Sequence, residues 1–167
     1  MERNAALADF ELARSEWETA FRSVPDSALA YLKPGDDYAL GGLQLHVNWV
    51  LTHYWRVLDA IVAGGFAQLG PQDPPGDAEA ARKKAKAGLG VHERAKALEE
   101  MERLHGAIVA AVTRLAEPDW SRQAAVIYSK GQDPYPTSPE DVVDWLRDHY
   151  REHVQQSADL VQEFAAG

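Results

Sequence analysis

Four stretches of this sequence place apolar side chains at three- and four-residue spacing, the pattern of a helix that buries one face. In the first, Leu7, Phe10, Ala13, Trp17, Phe21 and Val24 fall on one side. Pro25 ends the pattern, because proline disfavours helical geometry in the residue before it and donates no backbone hydrogen bond. The second follows the loop Lys33-Pro34-Gly35-Asp36-Asp37, with Asp36 or Asp37 as the expected N-cap. It carries Leu43, His46, Val50, Tyr54, Val57, Leu58 and Ile61 and stops at Gly64-Gly65. The third runs from Glu93 to Leu115, with Leu98, Met101, His105, Ile108 and Val112 on one side. The fourth opens with Ser138 as N-cap, Pro139 in the first turn and then Glu140 and Asp141. Its buried face is Val142, Trp145, Leu146, His149, His153, Leu160 and Phe164. Such stripes bury only against one another, so the expected fold is all-α: four long antiparallel helices in a bundle, with little strand.

The chain has 167 residues, the size of one domain, and residues 1–167 are read as one bundle. Its connections after the second and third helices are long. The first holds Leu69-Gly-Pro-Gln-Asp-Pro-Pro-Gly76, a short basic helical piece from Ala78 to Ala87 and a Gly88-Leu89-Gly90 break; the second holds Pro118, Gly131, Pro134 and Pro136. Connections of this length permit a crossover as readily as an up-down-up-down path, and periodicity does not choose between them. Phe66, Leu69 and Leu89 lie in segments that one subunit does not obviously cover, and a homodimer is expected on that ground.

Hydrophobic residues make up 46% of the chain, enough for a continuous core. With no cysteine present, disulfides, thiolate metal sites, iron–sulfur clusters and a cysteine nucleophile are all excluded. A formal net charge of −9 argues against a nucleic-acid partner, since binding the phosphate backbone relies on a net basic surface. The weakly polar run from Val57 to Leu69 is too short and glycine-rich to span a bilayer, and Met1-Glu2-Arg3-Asn4 leads into no apolar signal core. A soluble, cytoplasmic protein without membrane association is expected.

The six histidines carry the chemistry. His149 and His153 are four residues apart, about 40° around a helix, so both rings project from one face on adjacent turns. They share the stripe of Trp145, Leu146 and Leu160, where imidazoles need polar partners. Helix two supplies a third candidate, and here two alternatives stand open. His46 lies in the apolar stripe, and His53, seven residues on, points within about 20° of it. Three imidazoles around one ion with an open position would make a reactive zinc-type site. His92 and His105 read as isolated histidines of the ordinary surface or core kind. Two further patterns compete. His149-Tyr-Arg-Glu152-His153 matches HxxEH, in which Glu152 would be a general base, but such peptidases are much larger. Glu102-Arg-Leu-His105 is a single ExxH, whereas di-iron bundles need two, and Glu102 reads as a solvated residue.

The segments Tyr38-Ala-Leu-Gly-Gly-Leu-Gln-Leu-His46-Val-Asn-Trp-Val-Leu and Asp144-Trp-Leu-Arg-Asp-His149-Tyr-Arg-Glu-His153 resemble the second and fourth helices of the DinB-like superfamily. The resemblance spans nearly the whole chain. It implies a divalent metal ion, zinc or nickel, bound by one histidine of helix two and an HxxxH pair of helix four: here His46, His149 and His153. It also implies an activity. Relatives include S-transferases and a maleylpyruvate isomerase that use low-molecular-weight thiols. A metal-dependent, thiol-using S-transferase or related detoxification enzyme is therefore expected, acting on a small molecule with an external thiol; the alternative is a non-catalytic metal-binding bundle of stress-associated or regulatory type. Trp49, His53, Trp145 and Tyr150 are the expected pocket residues. The basic run Arg82-Lys83-Lys84-Ala-Lys86 is read as a solvated face, or as a dock for an anionic small molecule at the bundle's mouth.

Overall fold

The structure is a computed structural model describing residues 1–167. Its helices are α1 (Arg3–Ser23), α2 (Gly42–Ala63), α3 (Ala78–Ala87), α4 (Arg94–Thr113) and α5 (Pro139–Ala166); α3 is the short basic piece. The four long helices are those expected from periodicity. They close around a core that includes Phe10, Trp17, Phe21, Leu43, Leu51, Met101, Ile108, Leu146 and Tyr150.

The ends follow local chemistry. At the start of α5, Ser138 Oγ accepts from Asp141 N while Asp141 Oδ2 accepts from Ser138 N, a reciprocal capping box, with Pro139 in the first turn. α2 departs from expectation: neither Asp36 nor Asp37 caps it, and it begins only at Gly42 after Gly41. Packing explains the delay. A Cβ on Gly42 would lie 1.7 Å from the Ala85 carbonyl oxygen, and one on Gly41 2.6 Å from that of Leu29. The two glycines let α3 and the preceding loop press against the start of α2.

The helices are not all antiparallel to their neighbours. Along α1 and α5, Met1 meets Glu140, Asp9 meets Arg147 and Arg151, and Trp17 meets His153, so this pair runs parallel. α2 opposes α5, because His46 meets His153 while Tyr54 meets Trp145. α4 opposes α1: Arg94 reaches the carbonyls of Phe21 and Val24, Phe10 meets His105, and Arg3 reaches Leu115. α2 and α4 therefore share a direction, and the chain between them crosses back along the bundle through α3. Of the two paths that the loop lengths allowed, the crossover is the one taken.

Ten residues form a three-stranded sheet of β1 (Leu69–Pro71), β2 (Ala124–Ile127) and β3 (Tyr135–Thr137). β1 pairs parallel with β2, and β2 pairs antiparallel with β3. The sheet ties both long connections together and covers Val57 and Ile61 of α2 with Ala124 and Val126. Phe66 and Leu69 pack against this small cluster, and Leu89 joins the main core. One subunit thus buries Leu89 and half-buries Phe66 and Leu69, which weakens that argument for a dimer. No helix is long and apolar enough to cross a membrane.

Candidate metal centre

Antiparallel packing of α2 on α5 brings the histidines together. His149 Nε2 lies 3.1 Å from His46 Nε2 and 3.0 Å from His153 Nε2. One ligand atom from each of the three lies within 4.8 Å of the others. His53, on the same stripe, is not among them. It stacks on Trp49 at 5.9 Å between centroids, meets Tyr54 edge-on, and keeps a buried Nδ1 without a hydrogen-bond partner. His92 is exposed, and His105 is buried elsewhere, between Phe10 and Tyr150.

Burial holds all three clustered imidazoles neutral. It lowers the pKa of His46 to about 4 and that of His149 to about 3, with their neighbouring histidines adding to both effects. His153 is also lowered, chiefly by burial. Neutral rings with convergent Nε2 atoms are what a divalent cation requires. His153 Nδ1 lies 2.8 Å from Gln156 Oε1, so its N–H donates to the amide and the lone pair is left on Nε2. Tyr38 stacks on His46, with centroids 4.4 Å apart and planes 22° apart, fixing that ring from the loop side. Neither Gln156 nor Tyr38 was picked out as a site residue. Gln156 carried a signal, since it stands one turn beyond His153 on the same helix; Tyr38 sits in a loop that has no period to read.

Two cavities flank the cluster. The first, of about 310 Å³, is lined by Tyr38, Leu45, His46 and Trp49 together with Ala78, Ala81, Arg82, Lys84 and Ala85 of α3. The second, also of about 310 Å³, is lined by Val50, Tyr54, Trp145, Asp148, His149 and Glu152. Trp49 lines the first cavity and Trp145 the second. Tyr150 lines neither: it is 1% exposed and packs on Phe10, with its hydroxyl 3.4 Å from His105 Nδ1. One position beyond His149 turns a side chain about 100° round the helix, away from α2 and toward α1 and α4. His53 lines neither cavity and stands behind Trp49.

The family model described as the DinB superfamily matches residues 9–157. The chain belongs to the DinB superfamily. A solved structure of similar fold is described as "YfiT from Bacillus subtilis is a probable metal-dependent hydrolase with an unusual four-helix bundle topology". It aligns with a TM-score of 0.75 over 98% of this chain and 87% of that one, at 13% identity. At that identity the likeness is one of fold. A comparison with curated proteins finds no match.

Proposed function

We propose that this protein is a metal-dependent enzyme in which His46, His149 and His153 hold one divalent ion, zinc or nickel, and an external nucleophile is activated beside it. The observation that carries the reading is the convergence of three neutral Nε2 atoms between two open cavities. A sealed three-histidine cluster would suit a structural ion, whereas this one is reached from two sides. When bound, the ion would supply Lewis-acid chemistry, polarising a carbonyl and lowering the pKa of a thiol or of water. The protein's own residues hold, orient and take protons: Gln156 fixes the His153 ring, Tyr38 fixes His46, and the carboxylates of Asp148 and Glu152 stand in the cavity of His149. Because the chain has no cysteine, a thiol nucleophile must come from solution.

A low-molecular-weight thiol is the nucleophile we favour, in line with the resemblance to thiol-using relatives, which makes the enzyme an S-transferase. Water is the second reading, favoured by the Glu152 carboxylate, which stands in the cavity of His149 without an ion-pair partner, and by the hydrolase description of the YfiT structure. The test begins with elemental analysis of native-purified protein, expected to give one divalent ion per chain. Metal-loaded protein is then offered an electrophile with and without a panel of small thiols, and an aryl ester without thiol. Thiol-dependent conjugation lost in His149→Ala supports transfer, and thiol-independent ester cleavage supports hydrolysis. Absence of stoichiometric metal overturns the proposal.

A further inference from the structure

The first cavity has a chemical character of its own. It lies in the crevice between α2 and α3, which Gly42 holds together by letting the Ala85 carbonyl approach its Cα. Its inner wall is aromatic and apolar: Tyr38 on the His46 ring, Leu45, and the Trp49 indole, whose N–H donates to the Pro75 carbonyl at 3.3 Å. Its outer wall is the basic helix. Arg82 and Lys84 are the only fixed charges in the lining, and no carboxylate is among its residues. This is unusual in a chain with 26 acidic and 17 basic residues, where a random hollow would meet acid more often than base. Elsewhere on the bundle Arg147 and Arg151 are already matched, pairing with Asp9, Asp144, Asp148 and Glu16. Arg82 has no such partner, and Lys84 meets Glu93 only at 4.0 Å.

We propose that this crevice is the substrate subsite and that it selects a small, flat or apolar molecule carrying a carboxylate. The acid group is met by Arg82 and Lys84, and the apolar body lies along Trp49, Leu45 and Tyr38. That placement leaves the rest of the molecule against His46, one face of the proposed metal centre. The two cationic side chains are solvent-reachable on a short helix, so they recruit the anion without a buried charge to desolvate, while the planar arginine fork fits a carboxylate with two hydrogen bonds. The volume of about 310 Å³ stands at the small end of ligand sites, which restricts the substrate to one ring system or its equivalent. The selectivity rests on the metal-enzyme reading for its meaning, but its measurement does not.

The test is a binding comparison with 1-naphthylacetate and its neutral counterpart 2-(1-naphthyl)ethanol, by calorimetry, on native and on chelator-treated protein. The acid is expected to bind at least about tenfold more tightly than the alcohol, a preference worth about 1.4 kcal/mol. In R82E/K84E the acid should weaken by at least that factor while the alcohol stays within about twofold. R82A/K84A should fall between, and metal content by elemental analysis should match the parent in both. An acid that binds R82E/K84E as well as the parent, a parent that takes the alcohol as well as the acid, or a parent that binds neither overturns the proposal. If the protein holds no divalent ion yet chelator-treated protein keeps its charge-reversible preference, the metal reading fails and the subsite stands.

Discussion

Removing any one of the three convergent imidazoles leaves two nitrogens, too few to hold the ion against water and buffer. His46→Ala, His149→Ala and His153→Ala are each expected to abolish stoichiometric metal, and His53→Ala, His92→Ala and His105→Ala to retain it, as elemental analysis of purified variants would report. His53→Ala is the informative one, because helical period alone placed His53 beside His46. If His53→Ala loses the ion and His46→Ala keeps it, the site must be redrawn. A finer expectation concerns Gln156, which orients the His153 ring without reaching the ion. Gln156→Leu should weaken metal affinity by about 10–100-fold while leaving the stoichiometry at saturation intact. The helix-five pair was legible in the sequence because a spacing of four is a statement about angle. The choice of His46 was not legible from angle. Two residues separated by seven share a direction, and they differ in where each lies along the axis relative to α5, which only packing sets. Tyr150 failed for the opposite reason: adjacency to His149 in sequence is divergence on a helix.

At the level of elements, every long helix was readable from its stripe, and the sharpest ends were those built from local hydrogen bonds. Ser138 is such a case. Ser138→Ala removes one half of the capping box on α5 and is expected to cost about 1 kcal/mol in urea unfolding, without changing metal content. The start of α2 was misread because its cause is not local. Asp36 and Asp37 look like caps, but the helix waits for Gly41 and Gly42, whose role is to let α3 come close. Gly42→Ala tests this directly. The added methyl overlaps the Ala85 carbonyl, so α3 must withdraw, at an expected cost of about 1–3 kcal/mol in unfolding free energy. If Gly42→Ala is as stable as the parent, the close contact is not what fixes α3. The sheet was invisible for a comparable reason: three- and four-residue strands have too few positions to show alternation, and their pairing partners are more than fifty residues apart in β1 and β2.

Over the whole molecule, the parallel α1–α5 pair follows from charge and polar links that no single stripe records. Asp9 and Glu16 of α1 meet Arg147 and Arg151 of α5, and a partly buried chain of side-chain hydrogen bonds runs from Trp17 through Gln44 and Asn48 to the Ala97 carbonyl, joining α1, α2 and α4. The same closure buries His105, 3% exposed, between Phe10 of α1 and Tyr150 of α5. Burial lowers its pKa to about 4, against the pull of the Glu11 carboxylate 2.9 Å away, which is poorly aligned for a hydrogen bond. In the unfolded chain the same imidazole titrates near about 6.5. Between those values the unfolded state binds a proton that the folded state refuses, so unfolding becomes more favourable as pH falls and stability rises with pH across the window. Replacing His105 with a side chain that does not titrate should flatten that dependence. In chelator-treated protein, where metal linkage is absent, His105→Gln is expected to lower the slope of unfolding free energy by up to about 1.4 kcal/mol per pH unit between about pH 6.5 and about pH 4. Its absolute stability at neutral pH should also drop, since Tyr150 loses its ring partner, but the slope isolates the proton. His92→Gln, at an exposed position, serves as the control and should leave the slope unchanged. If His105→Gln keeps the parent's full slope from urea midpoints measured across that window, the acid sensitivity of this bundle lies in other groups and His105 is not held neutral by its burial.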